Sequence, residues 1–278
     1  MPDTLRIEKH REVPMKRFAA IFIAAAMLLT FAACSEKEVE LSQHEAYNKY
    51  VKAVESMNAA GSFSGEVVMR TIMTIMGEPF EYATTTGLKQ VLGSGDNFQA
   101  EIDATLGDAN YKTYYRDGTF YYESAGEKVK FAMPGEEYLN MTNSQVITQI
   151  LFPEESIFGL EATGSASGSE IRFEVVSAGM EEILYQLAGY SVTGGVQEHG
   201  TDELDYTFED VVITMQLDKN GAIQHIRLAF LLVLIHMGEP MDAYIEFGIT
   251  VSQIGGVTVD FPDDIDTYTD LGAEQAHG

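Results

Sequence analysis

The chain has 278 residues and a formal net charge of -26 at pH 7, from 17 Lys and Arg against 43 Asp and Glu. This excess of acid excludes a nucleic-acid-binding protein, whose contacts need Lys and Arg to replace counterions on phosphates. It also excludes attachment to anionic lipid headgroups through a basic patch. With 45% hydrophobic residues, the chain can fold as one large domain or two small ones. Cys34 is the single cysteine, so no internal disulfide can form.

The start of the chain has the pattern of an export signal. Lys16 and Arg17 form a basic start, and residues 18–33 follow without a charge. This apolar stretch is shorter than the roughly 20 residues of a transmembrane helix, and it fits the apolar region of a signal peptide. The stretch ends in Phe-Ala-Ala and is followed by Cys34. This sequence, FAAC at 31–34, resembles the lipobox of bacterial lipoproteins, with Phe31 where that family usually has Leu. A plain secretory signal with an incidental cysteine is the alternative.

The lipobox resemblance implies that a signal peptide over 1–33 is removed and that the Cys34 thiol carries a diacylglyceryl group. Two acyl chains, such as palmitate, give a durable membrane anchor at about 0.8 kcal/mol per buried methylene. Residues 34–43 then form a lipidated polar tether. Met15 makes a better start than Met1, because residues 1–14 place acids and a proline ahead of a compact signal. The mass of the unprocessed precursor tests that hypothesis. We expect a lipid-anchored protein on the extracytoplasmic face of the cell membrane.

A helix and a long hairpin follow the tether. Apolar residues at helical spacing predict an amphipathic helix over 42–57, ended near Gly61. Residues 67–76 alternate an apolar set with a more polar one, which predicts a half-buried strand. The tetrapeptide MGEP at 76–79 breaks that strand, because Pro cannot donate a hydrogen bond within a ladder. Residues 80–92 then return as the second strand of a hairpin.

The same tetrapeptide recurs at 237–240, again between an apolar strand and a returning strand. When the two motifs are superposed, Gly87 falls on Gly248. Two interpretations are equally open. Either the folded domain, 44–278, consists of two related halves, about 44–160 and 171–271, or two ordinary hairpins share a bend by accident.

Further turns, a loop and short helices complete the pattern. Asp-Gly at 117–118 is a strong signal for a two-residue hairpin turn, and Asn-Gly at 220–221 predicts another turn. Residues 161–170 have no apolar periodicity and are predicted to be the loop that joins the two halves. Short helices are predicted over 144–152 and 177–187, so helices are few among many strands.

These features together resemble the LolA/LppX-like envelope lipoproteins. The shared features are the lipobox cysteine, the N-terminal amphipathic helix, long antiparallel strands, a DG-x-x-Y-Y hairpin at 117–122 and the ending VDFPDDIDTYTDL at 259–271. The resemblance covers about 42–271. It implies an α+β, strand-dominated fold, in which a curved antiparallel sheet forms an open half-barrel with a few short helices on its concave face. It also implies that the concavity binds acyl chains of lipids or lipoproteins.

The Asp-Gly hairpin indicates which side chains would line such a concavity. A two-residue turn pairs Tyr115 with Phe120, and Tyr122 shares their face. Met69 and Met73 lie on the apolar face of the earlier strand, and Met adapts well to irregular acyl chains. These five residues are the candidate cavity lining. The alternative is that they pack against the helices as a closed core.

Motifs for catalysis and for metal binding are missing from the sequence. No two histidines after Cys34 stand at H-x-x-x-H spacing, and neither a G-x-S-x-G motif nor a P-loop occurs. The acidic run DDID at 263–266 lacks the pattern of an EF-hand and is expected to be a solvated turn. We therefore expect neither an enzyme nor a protein that needs a cofactor or metal.

Two functions are compatible with the sequence. The first is a membrane-anchored lipoprotein that binds a lipid or an acylated protein in a concave apolar face. The alternative is an envelope scaffold lipoprotein with a filled core and no ligand. A solute-binding lipoprotein of a transporter would need two α/β lobes, which the strand-rich pattern disfavours.

Overall fold

The computed structural model describes residues 39–75, 78–93, 97–106, 109–141, 150–176, 180–181, 183–184, 187–188, 205–236 and 239–272. The predicted signal peptide, Cys34 and the first part of the tether lie outside these residues, as does the Met-Gly pair of each MGEP motif. Among the described residues, no helix is both long enough and apolar enough to cross a membrane.

One open, curved sheet of thirteen strands dominates the described part of the chain. In chain order the strands are β1 Val39–Glu40, β2 Ser62–Ile75, β3 Glu78–Val91, β4 Gln99–Leu106, β5 Ala109–Arg116, β6 Thr119–Ser124, β7 Glu127–Ala132, β8 Ile157–Gly164, β9 Gly168–Val175, β10 Asp205–Asp218, β11 Ile223–His236, β12 Glu239–Ile254 and β13 Thr269–Asp270. The two described helices are α1 Gln43–Ala59 and α2 Gly135–Met141. The predicted α+β, strand-dominated half-barrel is therefore confirmed.

The order of strands in the sheet is β1-β8-β9-β10-β11-β12-β2-β3-β4-β5-β6-β7-β13. All neighbouring pairs are antiparallel except β7 and β13, which pair over two residues. Apart from the two-residue edge strands β1 and β13, which pair with β8 and β7, the sheet consists of two blocks that are each contiguous in sequence, β2 to β7 and β8 to β12. The blocks meet where β12 pairs with β2. Whether the blocks are related halves of one ancestor stays a prediction.

Helix α1 begins and packs as its sequence predicts. The Ser42 side chain accepts a hydrogen bond from the backbone of Glu45, and the Glu45 carboxylate accepts one from the Ser42 backbone, which forms a capping box. Tyr50 is fully buried on the apolar stripe of the helix and packs edge-on against Phe173, with ring centroids 4.9 Å apart. The helix ends just before Gly61, whose φ of +70° suits glycine.

The predicted hairpins are confirmed. β2 and β3 pair up to Ile75 and Glu78, and β11 and β12 pair up to His236 and Glu239, so both MGEP motifs lie at hairpin bends. Asp117 and Gly118 have φ of 52° and 73° and join β5 to β6 in a two-residue turn. The Asn-Gly pair at 220–221 lies in the four-residue connection between β10 and β11.

The prediction that 161–170 is a loop is wrong. Residues 157–164 and 168–175 are β8 and β9, and they form a hairpin at one side of the sheet. The prediction failed because residues 161–170, apart from Ala162 and Ala166, are all Glu, Thr, Gly or Ser. Ala162 and Ile171 point to the core, while their neighbours face solvent. The boundary between the two blocks of the sheet therefore lies in the connection between β7 and β8.

The predicted short helices fall largely outside the described residues. Of the segment 144–152, only 150–152 is described, and it is not helical. Residues 181, 183, 184, 187 and 188 are helical, in agreement with the second prediction, and Leu184 and Leu187 are buried in the core.

The two faces of the sheet differ in what covers them. The inner face, which carries α1, holds the main hydrophobic core. The outer face is covered over β5 and β6 by the C-terminal strap, which we define as residues 255–272. A second, smaller apolar cluster lies beneath the strap and contains Tyr114, Tyr121, Val259, Ile265 and Tyr268.

Candidate functional site

One half of the inner face is tightly packed. Tyr115 is fully buried, and its ring stacks on Phe98 with centroids 4.4 Å apart and an interplanar angle of 13°. Tyr138 of α2 contacts both Tyr115 and Phe120, with centroid distances of 4.7 and 6.0 Å. The Tyr115 hydroxyl donates to the Met133 carbonyl at 3.1 Å. This region is an aromatic core with its rings in contact.

The other half of the inner face is less covered. Along β3, Leu88 and Gln90 are buried at 6% and 2% exposure, whereas Phe80 is 49% exposed. Tyr82, Thr84 and Thr86 also point inward and are half-buried. The inward residues of β3 are thus buried near its end and increasingly exposed toward its start. The segments that pack on the inner face therefore cover only the later part of β3.

The neighbouring strands complete this uncovered region. Met69 and Met73 of β2 stand opposite Thr84 and Phe80 and are 9% and 8% exposed. From β5 and β6, Tyr111 and Tyr122 are half-buried, and their rings stack with centroids 6.3 Å apart. We call this set the open half, and it comprises Met69, Met73, Phe80, Tyr82, Thr84, Thr86, Tyr111 and Tyr122.

Tyrosine hydroxyls are close together in the open half. Burial raises the pKa of Tyr111, and the nearby phenols of Tyr82 and Tyr122 raise it further. The Tyr111 phenol therefore stays protonated at neutral pH, where it can both donate and accept a hydrogen bond. The open half thus combines apolar side chains with uncharged hydroxyl groups.

Two buried threonines border the three tyrosines. Thr71 is 0% exposed and stands opposite Tyr82, and Thr113 is 7% exposed and stands opposite Tyr122. Within the described part of the chain, neither Oγ1 atom has a hydrogen-bond partner. A buried hydroxyl without a partner costs about 1–3 kcal/mol. The inner face therefore retains unused hydrogen-bonding capacity on both sides of the tyrosines.

Charged groups lie on the outer face. Arg70 donates to Glu81 at 2.7 Å, and Arg227 donates to Glu246 at 2.6 Å. The hydrogen bond from Arg227, followed by its charge, holds the pKa of Glu246 below its ordinary value, against the effect of burial. Salt bridges of this kind belong to the outer surface of the sheet.

The acidic run 263–266 contacts basic side chains of the outer face. Lys128 donates to Asp264 at 2.7 Å, and Lys89 donates to Asp260 at 3.2 Å. Arg116 lies 3.6 Å from Asp266 and stacks over Phe261 at 4.8 Å. The three aspartates of the run are thus exposed, as predicted, whereas Ile265 is buried. Through Asp264 and Asp266 the run also fastens the strap to the sheet.

A separate cleft of about 310 Å³ lies between β6, β7 and the end of the strap, and it is lined by Thr119, Tyr121, Lys130, Phe131, Ala132, Asp270 and Gly272. The Lys130 ammonium within it donates to the Asp266 carbonyl at 2.8 Å. Across the described ranges, no group of three or more His, Cys, Asp or Glu side chains could hold a metal ion.

The five predicted lining residues divide between the two halves. Tyr115 and Phe120 lie in the packed half, whereas Met69, Met73 and Tyr122 belong to the open half. The prediction omitted Phe80, whose exposure on the inner face is the clearest sign of missing cover. The alternation Phe80, Tyr82, Thr84, Thr86 was visible in the sequence, but it does not show where the cover ends. The lipidation site, Cys34, lies outside the described residues.

Comparison with known proteins gives only distant structural likenesses. No family model matches the sequence, and no curated protein matches it. The chain is similar to LprF from Mycobacterium bovis, with 18% identity, a TM-score of 0.39, and coverage of 81% of this chain and 99% of that one. It is also similar to a LolA superfamily protein from Nitrosomonas europaea, with 9% identity, a TM-score of 0.26, and coverage of 82% and 98%.

A putative outer membrane lipoprotein-sorting protein domain from Vibrio parahaemolyticus is a third similar structure, with 8% identity, a TM-score of 0.24, and coverage of 80% and 97%. These neighbours are of the LolA/LppX-like kind that the sequence resembles. At such identities and TM-scores they carry no functional argument, so function is argued from the residues of this chain.

Proposed function

We propose that this protein is a membrane-anchored, extracytoplasmic lipoprotein that binds a hydrophobic ligand, a lipid or an acylated protein, without catalysing a reaction. The observation that carries the proposal is Phe80, which points to the inner face of the sheet and is nevertheless 49% exposed. Met73 stands opposite it, and Met69 lies two inward positions further along β2, beyond Thr71. An acyl chain laid on these residues would remove apolar surface from water.

The small number of residues between the predicted anchor and the fold supports this function. If Cys34 is acylated, residues 34–38 separate the acyl chains from Val39, the first residue of β1. Five extended residues span at most about 18 Å. The folded domain would then stay within reach of the bilayer surface, where a ligand could move between membrane and protein.

The scaffold alternative also has an observation in its favour. Tyr115 and Phe120, two of the five predicted lining residues, are 0% and 6% exposed and pack against Phe98 and Tyr138. A core that is filled over half of the inner face leaves less room for a ligand. A scaffold would carry no ligand in the open half either.

Two matched variants separate these functions. Phe80→Asp places a charge on the inner face, and Phe158→Asp places the same charge on β8, at a phenylalanine of similar exposure, 52%. The chain from residue 35 onward is purified without lipidation and analysed by native mass spectrometry and lipid extraction. We expect bound lipid in the wild type and in Phe158→Asp, and its loss in Phe80→Asp. Wild-type protein that carries no lipid and takes up no added phospholipid or lipopeptide supports the scaffold.

A further inference from the structure

The Lys and Arg side chains of the described strands do not face the concavity. Every Lys and Arg in the described strands lies on the outer face, because each occupies a position that alternates with the buried inward residues. These residues are Arg70, Lys89, Lys112, Arg116, Lys128, Lys130, Arg172 and Arg227. The two lysines of α1, Lys49 and Lys52, are exposed, and Lys49 donates to Ser169 at the β9 side of the sheet, in the other block. No described strand therefore presents a cation to the open half.

The other residues of the folded domain place no Lys or Arg at the open half either. Lys219 is exposed in the turn between β10 and β11, in the other block of the sheet. The longest stretches outside the described residues and after the tether, 142–149 and 189–204, contain neither Lys nor Arg, and the same holds for every other undescribed position after residue 38. The statement about Lys and Arg in the open half thus holds for the whole folded domain.

Hydroxyl groups stand where an anion-binding site would have cations. Thr71 pairs with Tyr82, the phenol of Tyr82 is near that of Tyr111, and the ring of Tyr111 stacks on Tyr122. Tyr122 in turn pairs with Thr113. These five residues, which we call the hydroxyl row, lie on β2 and β3 and on β5 and β6, with β4 between the two pairs of strands. Each pair of strands contributes one buried threonine hydroxyl that has no partner within the described residues.

This row can satisfy an uncharged ligand but not an anionic one. Moving a phosphate from water into a partly buried site without a cation is costly, because nothing compensates its lost hydration. A ligand hydroxyl, in contrast, exchanges hydrogen bonds to water for hydrogen bonds to Thr and Tyr at little net cost. Building on the proposed function, we propose that the ligand is an uncharged amphiphile, with hydroxyl groups at its polar end on this row and acyl chains toward Met69 and Met73. Diacylglycerol is a ligand of this class, and phosphatidic acid with the same chains is not.

The test compares these two lipids in the membrane. The full chain, processed and lipidated by the host, is reconstituted into phosphatidylcholine vesicles. The vesicles contain equal fractions of photoactivatable diacylglycerol or of the phosphatidic acid with identical acyl chains. After irradiation, mass spectrometry maps the crosslinks to peptides of β2, β3, β5 and β6. We expect about tenfold more crosslinking by diacylglycerol at the inward residues.

Charge variants control for the general repulsion between an acidic protein and an anionic lipid, because both variants change the net charge by the same amount. Thr84→Lys adds a cation to the open half, and Thr85→Lys adds the same charge to the exposed outer face one residue away. We expect Thr84→Lys, but not Thr85→Lys, to raise crosslinking by phosphatidic acid several-fold. Thr86→Lys, also inward and half-buried, replaces Thr84→Lys if that variant does not fold, as judged by its circular dichroism melt.

The outcomes distinguish the two proposals. Equal crosslinking of both lipids in the open half overturns the selection for an uncharged ligand and leaves lipid binding intact. The same conclusion follows if Thr84→Lys and Thr85→Lys behave alike. Crosslinking of neither lipid to the open half overturns the proposed function and this inference together.

Discussion

Replacing Thr71 by valine should stabilise the protein. Thr71 is fully buried on the inner face of β2, and its Oγ1 has no hydrogen-bond partner within the described residues. Valine keeps the shape of the side chain and its preference for strands, and it exchanges the hydroxyl for a methyl group. Most buried polar groups are paired, so their removal is destabilising. Removal of the Thr71 hydroxyl should instead be stabilising, because no hydrogen bond is lost.

Two effects determine how much Thr71→Val changes the free energy of unfolding. The unpaired hydroxyl costs the folded state about 1–3 kcal/mol, which the substitution recovers. The added methyl group is buried as well, with a favourable contribution of up to about 0.8 kcal/mol if it fits without strain. Allowing for imperfect fit, we expect the free energy of unfolding to rise by about 1–2 kcal/mol. In a domain of this size that corresponds to an increase in Tm of about 2–8 °C.

The assay is urea denaturation of the unlipidated chain, followed by circular dichroism, with Thr85→Val as the matched control. Thr85 lies on the neighbouring strand but is exposed on the outer face, so its substitution should change stability by no more than about 0.5 kcal/mol. A decrease in stability for Thr71→Val would refute the reasoning, because it would show that the hydroxyl has a partner in the folded protein.

The same substitution also reports on the ligand. If a bound amphiphile hydrogen-bonds to Thr71, the variant should bind it more weakly although the protein is more stable. Such opposite effects on stability and binding are expected where a binding site lowers the stability of the folded protein. An increase in stability with unchanged lipid binding would place the ligand away from Thr71.

Four other substitutions test how the fold is held together. Tyr50→Phe should lower the free energy of unfolding by about 2–3 kcal/mol in urea denaturation, because the buried Tyr50 hydroxyl bonds two backbone groups of the 150–152 segment. Tyr268→Ala should cost about 3 kcal/mol and make the strap susceptible to protease, whereas Asp264→Asn, which weakens an exposed ion pair, should cost less than about 1 kcal/mol. The lowered pKa of Glu246 stabilises the fold above the unfolded pKa of about 4.3, and this contribution is lost as pH falls through the folded pKa. Glu246→Gln should therefore weaken the dependence of stability on pH below about 4.5, as measured by urea titrations at several pH values.

Local sequence signals predicted the hairpins and α1 well. The Asp-Gly turn at 117–118 sets the register of β5 and β6 by itself, so the pairing of Tyr115 with Phe120 followed directly. Ser42 and Glu45 carry the capping box within four residues of sequence. In both cases the interacting groups are close in sequence, and no knowledge of the tertiary fold is needed.

The β8–β9 hairpin shows where such reasoning fails. Its strands contain glycine, serine and glutamate, and only alternate residues such as Ala162 and Ile171 are buried. Strand formation there depends on pairing with β10, which is more than 30 residues away in sequence. The polar composition therefore predicted a loop, although the long-range pairing stabilises a strand.

The open half was only partly predictable for a related reason. Alternation places Met69, Met73 and Tyr122 on the inner face, and it does the same for Tyr115 and Phe120. What separates the two sets is the position of Phe98 and Tyr138, which cover one half of that face. The packing of segments that are distant in sequence determines which part of the inner face is covered. The periodicity within one strand cannot predict it.

The distribution of charge links the fold to the proposed ligand. An acidic chain has few cations, and this one places those of its strands on the outer face. There they hold acidic partners such as Asp264, and two of them, Arg116 and Lys128, also lie over aromatic rings of the strap. Exposed ion pairs of this kind contribute little to stability individually. Their position nevertheless has a consequence for the inner face, since a concavity without cations does not attract anionic headgroups. Under the proposed selection, an uncharged amphiphile would replace water in the open half without competition from anionic lipids of the membrane.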